Sequence, residues 1–421
     1  MVLLVVTITT FTSRADVRLP LIFSSNMVLQ KGIENTIWGW AAKNENISIS
    51  LNGKTVKTKA CKAGKWSSKL PVMDYGGPYA LIVKGNNLIE LTNVMIGEVW
   101  ICSGQSNMEF PVSVAENAKE EIANANYPDI RLFIVPKKVA QLPVEDLENG
   151  EWTVCTSKTV TGFSAVGYFF ARELYQKLKI SIGVIQSAWG GIVAETWISP
   201  QTIEHDPDFA DKLIQYQRQF PSLITDWRNH WQLGDFPFIW VQLANFMKPA
   251  DKPGKSDWVA LREAQTMALK LPNTGMASAI DIGDANDIHP RNKQEVGRRL
   301  GLNALKITYG KGLVAIGPFY QSLKIEGNKV IVSFSNTGSW LSIKNKYGYI
   351  NGFSVAGTDQ KFYWAKATLM NDNTIVVYSE DVQSPVAVRY GWADNPDDLN
   401  LYNNEGLPVN QFRTDNWQTT K

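Results

Sequence analysis

The pattern of apolar residues changes twice along the 421 residues, and these changes limit the fold more than any other feature. Near the start, apolar and polar residues alternate, as Ile47, Ile49 and Leu51 do in NISISLNG, and Gly, Asn and Pro separate the segments. Alternation with a period of two predicts β-strands that bury one face. We therefore predict a β-sandwich-like domain over residues 16–95.

The middle of the chain, residues 96–316, alternates short apolar runs with amphipathic stretches. GEVWICSG, ISIGVIQSAWGG and PFIWVQLANF predict strands, whereas VGYFFARELYQKL and LREAQTMALKL predict helices. This order predicts the α/β class, a parallel sheet flanked by helices, with ligands bound beyond the carboxyl ends of the strands. Alternation with a period of two returns in KVIVSFSN and NTIVVYSE, which predicts a C-terminal β region over residues 317–421.

Composition narrows the range of partners and cofactors. The chain has 42 Lys and Arg against 40 Asp and Glu, a net charge of +2. Because neither sign forms a long run, we predict no nucleic-acid partner. Cys61, Cys102 and Cys155 have no C-x-x-C spacing, so we predict no metal site, no cofactor and at most one disulfide. The sequence leaves the oligomeric state open.

Residues 1–15 resemble a signal peptide. MVLLVVTITTFT is apolar but too short to cross a bilayer, and Ser13 and Ala15 are small residues at a suitable cleavage site. We therefore predict a secreted or periplasmic protein, with a buried first strand as the alternative interpretation. No later segment has the pattern of a membrane-spanning helix.

The first of three polar motifs, GQSNM, directly follows the predicted strand GEVWIC. Gly104 permits a sharp turn there, and such a turn can present the Ser106 hydroxyl as a nucleophile. Gln105 and Asn107 flank the serine and are candidates for contacts with substrate or oxyanion. A plain Gly-Ser-Asn turn is the alternative.

The second and third motifs also lie at strand ends. Gly190 and Gly191 in SAWGG can bring backbone N–H groups close to an oxyanion, although ordinary glycine loops are common. In DIHP, Asp287 can orient the His289 imidazole while the histidine accepts the serine proton, and Pro290 is predicted in the first turn of the following helix. The other two histidines, His205 and His230, are predicted to be surface or packing residues.

Longer stretches around these motifs carry a resemblance. The sialate O-acetylesterase family of SGNH hydrolases is similar, in this order, to RLPLIFSSNMVLQKG, GEVWICSGQSNMEFPV, SAWGGIVAETWISP, FPSLITDWRNHWQLGDFPFIWVQLANF, DIHPRNKQEVGRRLGLNAL and VRYGWADNPDDLNLYNNEGLP. The resemblance covers nearly the whole chain. It implies an SGNH-hydrolase-like fold and hydrolysis of acetyl esters on a carbohydrate, sialic acid or a plant polysaccharide. It also implies Ser106 as nucleophile, Asp287 and His289 as its partners, and Gly190 or Gly191 in the oxyanion hole.

One departure from the family concerns the oxyanion hole. Family members carry a WYQGESN-like motif, whose Asn donates to the oxyanion, between the AETWIS and DWR stretches. Here no Gln-Gly-Glu-x-Asn occurs, and Trp197 and Trp227 lie only 30 positions apart. An internal deletion near residues 212–216 is one explanation. The other is that Asn245, at the end of the strand in QLANF, replaces the missing donor.

Two other functions remain open on the sequence. A deletion predicts a catalytically impaired carbohydrate-binding remnant of the family. A glycosidase would use Asp284 and Asp287, but these lie on one loop, whereas that chemistry needs carboxylates on both sides of the bond. Asp284 is also the alternative residue for orienting His289. Among the tryptophans, we predict core packing for Trp38, Trp40 and Trp100 and either sugar contacts or core packing for Trp189, Trp197 and Trp231.

Overall fold

The computed structural model describes residues 16–140, 143–204, 212–344, 347–371 and 373–417, which pack as two compact units. The first unit comprises the described residues up to Ser103, Lys119–Phe163 and Tyr175–Ala188, and the second comprises Gly104–Ala118, Ser164–Leu174 and the chain from Trp189 onward. The predicted signal peptide and His205 lie outside the described residues. None of the described helices is both long enough and apolar enough to span a membrane.

Strands outnumber helices in the described part of the chain. The strands are β1 Val28–Gln30, β2 Asn35–Trp40, β3 Asn46–Leu51, β4 Lys54–Lys59, β5 Lys65–Leu70, β6 Gly76–Lys84, β7 Leu88–Gly104, β8 Asn126–Ile134, β9 Thr153–Thr156, β10 Ile182–Ala188, β11 Phe238–Val241, β12 Thr274–Ala277, β13 Phe319–Glu326, β14 Lys329–Ser335, β15 Leu341–Ile343, β16 Ile350–Ala356, β17 Phe362–Asn371, β18 Thr374–Tyr378, β19 Ala387–Tyr390, β20 Leu401–Asn403 and β21 Phe412–Arg413. The helices are α1 Ser106–Glu109, α2 Ala118–Asn124, α3 Ser157–Val160, α4 Ala165–Leu178, α5 Pro200–Glu204, α6 Lys212–Trp231, α7 Asp257–Met267 and α8 Lys293–Ile307.

The first unit is built on an eight-stranded sheet. Its order is β4-β3-β6-β7-β10-β8-β9, with β1 beside β7, while β2 and β5 form a separate antiparallel pair. Burial alternates along β3, where Ile47, Ile49 and Leu51 are at most 1% exposed. These side chains join one hydrophobic core with residues of β2, β5 and β6. The alternation in the sequence therefore predicted the buried face correctly.

This sheet is mixed. It joins β1, β3, β4 and β6, from residues predicted to form a β-sandwich-like domain, to β8, β9 and β10, from residues predicted to form a parallel sheet. β1 pairs with β7 in parallel, as β8 does with β10, but β3 pairs antiparallel with β4 and β6, β6 with β7, and β8 with β9. Short turns join β3 to β4 and β6 to β7, and strands joined in this way pair antiparallel, whereas parallel strands need a crossover. β7 is 17 residues long and belongs to both kinds of pair. The α/β class is therefore confirmed in its coarser, mixed form, and the predicted domain limits remain predictions.

The second unit contains the predicted C-terminal β region. Seven antiparallel strands run in the order β13-β14-β18-β17-β16-β19-β21, and Val330, Val332 and Phe334 of β14 are buried on one face. β11 and β12 form a separate parallel pair. Helix α8 begins at Lys293, because the Asn292 side chain accepts the Glu295 N–H at 3.0 Å and caps it. Pro290 therefore precedes the helix and does not lie in its first turn.

Candidate active site

Ser106 occupies the first position of a four-residue helix directly after a long strand. Strand β7 ends at Gly104, whose φ of +146° favours glycine, and Gln105 turns the chain into α1. The serine side chain is half-buried. Its backbone N–H, in the first turn of a helix, has no acceptor among the described residues. The sharp turn that the sequence predicted at Gly104 thus presents both a hydroxyl and a free amide.

Hydrogen bonds connect Asp287 to His289 and His289 to Ser106. The His289 Nε2 atom is 2.8 Å from Ser106 Oγ, and its Nδ1 atom is 3.1 Å from Asp287 Oδ1. Asp287 Oδ1 also accepts the backbone N–H of His289 at 2.8 Å. All three distances lie within the range of hydrogen bonds that a nucleophile, a base and an orienting group require.

The two aspartates of this loop have different partners. Asp284 accepts the Asn286 N–H at 2.8 Å and makes no hydrogen bond to His289 within the described part of the chain. The pKa of Asp287 is held below its usual value, first by the His289 backbone N–H and further by the imidazole and by Arg291. Asp287 therefore stays ionised beside the imidazole, and the geometry favours it over Asp284 as the orienting group.

Lys293 and Phe110 support this arrangement, and the sequence assigned no role to either. The Phe110 ring stacks with the His289 ring at 6.4 Å between centroids, and the Lys293 ammonium lies 4.7 Å from the centroid of Phe110. Lys293 Nζ donates to Asn107 Oδ1, while Asn107 Nδ2 donates to the Ile288 carbonyl at 3.1 Å. Asn107, predicted to contact substrate or oxyanion, thus links the nucleophile helix to the histidine loop. The closeness of Lys293 to His289 in the DIHPRNK motif was the available signal.

Lys293 is expected to reduce stability at neutral pH. Its side chain is only 2% exposed, and burial lowers its pKa from 10.5 to about 8 although Asp287 opposes the shift. The Lys293 amine therefore binds its proton more tightly in the unfolded chain than in the folded one. Burial of the charged amine lowers the free energy of unfolding by its full amount below pH 8, and this cost disappears as pH rises toward 10.5. That pKa difference corresponds to roughly 3 kcal/mol. Lys293→Met should therefore raise the free energy of unfolding at pH 7 while lowering turnover, because Asn107 loses its anchor.

Chemical denaturation at pH 7 and at pH 10, with acetate release at pH 7, checks this expectation. The gain in stability of Lys293→Met should shrink at the higher pH. Lys306→Met changes an exposed lysine of the same helix and should show no such pH dependence. A variant at Lys293 that is less stable than the parent at both pH values would contradict the stated cost of burial.

Gly190 and Gly191, the two candidate oxyanion donors, differ in their surroundings. The Gly190 N–H donates to Glu109 Oε2 at 2.7 Å, and a Cβ at Gly190 would lie 3.2 Å from Ser106 Cβ. Gly191 has a φ of +82° and open space where a Cβ would be, and its N–H has no acceptor among the described residues. Of the two glycine amides, the Gly191 N–H is therefore the one that is free to donate to an oxyanion. The sequence did not single out Glu109, which lies 81 positions from Gly190.

The remaining two predicted residues hold loops. Gln105 Nε2 donates to the Ile192 carbonyl and so ties the nucleophile turn to the glycine loop. Asn245 is buried, its Oδ1 atom accepts the Gly283 N–H at 2.6 Å, and its Nδ2 atom donates to Asn395 Oδ1 at 2.7 Å. The structure does not bring the Asn245 amide into hydrogen bonding with Ser106 or His289. Asn245 instead anchors the start of the loop that leads to Asp287, through its hydrogen bond with Gly283.

Comparison with known proteins gives consistent matches. Residues 204–306 match the family described as carbohydrate esterase, sialic acid-specific acetylesterase. A crystal structure of a carbohydrate acetylesterase from Xanthomonas citri is 38% identical, with a TM-score of 0.90, over 95% of this chain and 100% of that one. The sialate O-acetylesterases of Pongo abelii and Homo sapiens are each 28% identical, over 89% of this chain and 87% of theirs.

Proposed function

The chain belongs to the carbohydrate acetylesterase family that includes the sialate O-acetylesterases, and from this premise we propose that it removes acetyl groups from a carbohydrate. We assign the chemistry to Ser106, His289 and Asp287 in an SGNH-hydrolase-like domain. This assignment rests on two hydrogen bonds of His289, one to Asp287 at 3.1 Å and one to Ser106 at 2.8 Å. The predicted signal peptide supports a secreted or periplasmic enzyme.

The proposed reaction has two halves. His289 Nε2 accepts the Ser106 hydroxyl proton as Oγ attacks the acetyl carbonyl carbon, and the imidazolium then protonates the departing sugar oxygen as the ester C–O bond breaks. In the second half, His289 deprotonates a water that attacks the acetyl-serine. Acetate leaves, and the proton returns to Ser106. Asp287 remains ionised throughout, holds the imidazole tautomer and stabilises the imidazolium.

Backbone amides are the proposed oxyanion donors. The Ser106 and Gly191 N–H groups have no acceptor among the described residues, whereas the Gly190 N–H is engaged by Glu109. We therefore assign Gly190 a spacing role, because its missing side chain lets the loop approach Ser106. Glu109 holds that loop through the Gly190 amide. Backbone amides that are fixed in place before the reaction can stabilise a developing charge without reorganisation.

Acetate release by the purified protein tests the proposed activity. The panel contains O-acetylated sialic acid and acetylated xylan, with the deacetylated glycans as blanks and reducing-end release measured in parallel. We expect acetate and no new reducing ends, because Asp287 is committed to His289 and cannot serve as the second carboxylate of a glycosidase. Reducing ends without acetate would contradict the proposal.

The alternative, an impaired family member, rests on the missing QGExN-like segment. The alignment with the Pongo abelii enzyme spans 458 residues and takes in 89% of this chain. Since 89% of 421 is about 375, roughly 80 aligned positions hold no residue of this chain. In addition, β11 and β12 form a two-stranded sheet of their own. We propose that an internal deletion near residues 212–216, at the start of α6, removed an oxyanion donor and a strand.

Restoring a segment is expected to raise both activity and stability. Inserting a family-like segment that ends in WYQGESN between Lys212 and Tyr216 should increase turnover by about 10²–10³, the usual effect of one oxyanion donor. A new strand beside the two-stranded β11–β12 sheet would also pair with backbone groups at the edge of that sheet. Acetate release and thermal unfolding measure the two effects. An insert of equal length built from Gly and Ser should give neither gain, and a parent enzyme that already turns over rapidly would contradict the deletion.

A further inference from the structure

An open groove of about 600 Å³ lies in the first unit, on the outer face of the β2–β5 pair. Trp38 pairs with Ser67 and Trp40 with Lys65 across the two strands, so these four side chains lie on one face. The sequence predicted core packing for both tryptophans. Trp38 is instead 40% exposed, and Trp40 is half-buried. The buried positions of β2 are Asn35, Ile37 and Gly39, and Trp66, the partner of Gly39, fills the inner face.

Neighbouring side chains hold both indole rings in place. Phe23 meets Trp38 edge-on, with 4.5 Å between the ring centroids. The Arg18 guanidinium lies 3.8 Å from the centroid of the Trp40 ring and pairs with Asp146 at 2.9 Å. Rings that are fixed before a ligand arrives lose little entropy on binding. The groove is therefore preorganised around two indoles.

Acidic, basic and hydroxyl side chains surround the two indole rings. The Glu145 carboxylate accepts a hydrogen bond from the Lys65 ammonium, and the Thr58 hydroxyl donates to the Ser67 carbonyl at 2.9 Å. Lys65 is thus neutralised by Glu145, as Arg18 is by Asp146. A ligand for this groove needs a flat apolar face and several hydroxyl groups, and it needs no net charge.

We propose that this groove is a second, non-catalytic binding site for a neutral pyranose ring of a glycan chain. One face of the sugar stacks on Trp38, and its hydroxyls bond Glu145, Lys65 and Ser67. This site lies wholly within the first unit, whereas Ser106, His289 and Asp287 belong to the second. Binding here is independent of the proposed ester hydrolysis, so either assignment can fail without the other.

Cys61 provides a reporter for the groove. It lines the groove and is exposed, while Cys102 and Cys155, the other cysteines of the chain, are buried. A hydrogen bond from the Lys65 backbone lowers the pKa of the Cys61 thiol, which favours the reactive thiolate. A thiol-alkylating reagent should therefore modify native protein at Cys61, and a sugar in the groove should slow the reaction.

The experiment measures Cys61 alkylation in full-length Ser106→Ala protein, which cannot consume a ligand, with and without a neutral xylo-oligosaccharide. We expect the sugar to slow alkylation several-fold in a saturable manner. Trp38→Ala should abolish the protection, and Trp38→Phe, which keeps a flat ring, should restore part of it. Trp231→Ala, at another exposed tryptophan, should leave the protection intact.

Three results would overturn the proposal. No protection by the neutral sugar at tens of millimolar would remove the site. Equal protection in Trp38→Ala and its parent would remove the stacking role. Protection only by a sialylated oligosaccharide would contradict the assignment to a neutral ring. Acetate release by Trp38→Ala with an intact Ser106, on a small acetyl ester, should equal that of the parent, which separates the two sites.

Discussion

Replacing Ser106 by alanine is expected to remove essentially all acetyl release while leaving the thermal midpoint nearly unchanged. The hydroxyl is the group 2.8 Å from His289 Nε2, and losing the nucleophile of such a unit costs about 10⁶ in turnover. The serine side chain is small and half-buried, so its replacement should change the free energy of unfolding by no more than about 0.5 kcal/mol. Acetate release and thermal unfolding of the same preparation check both statements.

Ser113→Ala is the matched control for this variant. Ser113 is an exposed serine in the short turn Val112–Val114, which follows the nucleophile helix closely in the chain. Its replacement should leave turnover and thermal midpoint at parental values. Turnover of Ser106→Ala within about twofold of the parent, where a lost nucleophile costs orders of magnitude, would place the reaction at another residue.

The second large effect concerns the base and its orienting carboxylate. His289→Ala should reduce turnover about as much as Ser106→Ala, because serine and histidine act as one unit. Asp287→Asn should cost up to about 10⁴, since an amide favours the wrong imidazole tautomer. Asp284→Asn should cost far less, because Asp284 bonds the Asn286 N–H and not the imidazole.

The two aspartate variants control for each other, since each exchanges a carboxylate for an amide on the same loop. Steady-state kinetics of both, on one acetylated substrate at saturating concentration, gives the comparison. A larger loss in Asp284→Asn than in Asp287→Asn would show that the loop rearranges during catalysis and that Asp284 orients the histidine.

Much of the candidate site could be predicted because its polar residues follow predicted strands. Ser106 and His289 lie 183 positions apart, yet each belongs to a motif that marks the end of a strand or the start of a helix. Glu109 and Lys293 lie close to two of these motifs in the chain, but the sequence assigned neither of them a role. Their roles come from contacts with Gly190 and Asn107, and only the folded chain brings those pairs together.

The fold shows the same division between local and distant information. A period of two predicted two faces for β2, but tryptophan's apolar surface suggested that Trp38 and Trp40 face inward. The inner positions belong to Asn35, Ile37 and Gly39, and Gly39 leaves room for the Arg18 carbonyl and for the ring of Trp66 on the partner strand. Likewise, the sequence predicted strands correctly in the first unit but not their mixed pairing, which depends on connections along the whole sheet.

Labelling with a fluorophosphonate tests most directly whether Ser106 is an activated nucleophile, because this reagent phosphonylates activated serines without requiring the natural glycan. Peptide mapping of the labelled protein should locate a single adduct on Ser106. Labelling should disappear in Ser106→Ala and become much slower in His289→Ala, since the imidazole 2.8 Å away accepts the hydroxyl proton. An adduct on another serine, or acetate release by a protein that the reagent neither labels nor inhibits, would contradict the assignment of Ser106 as nucleophile.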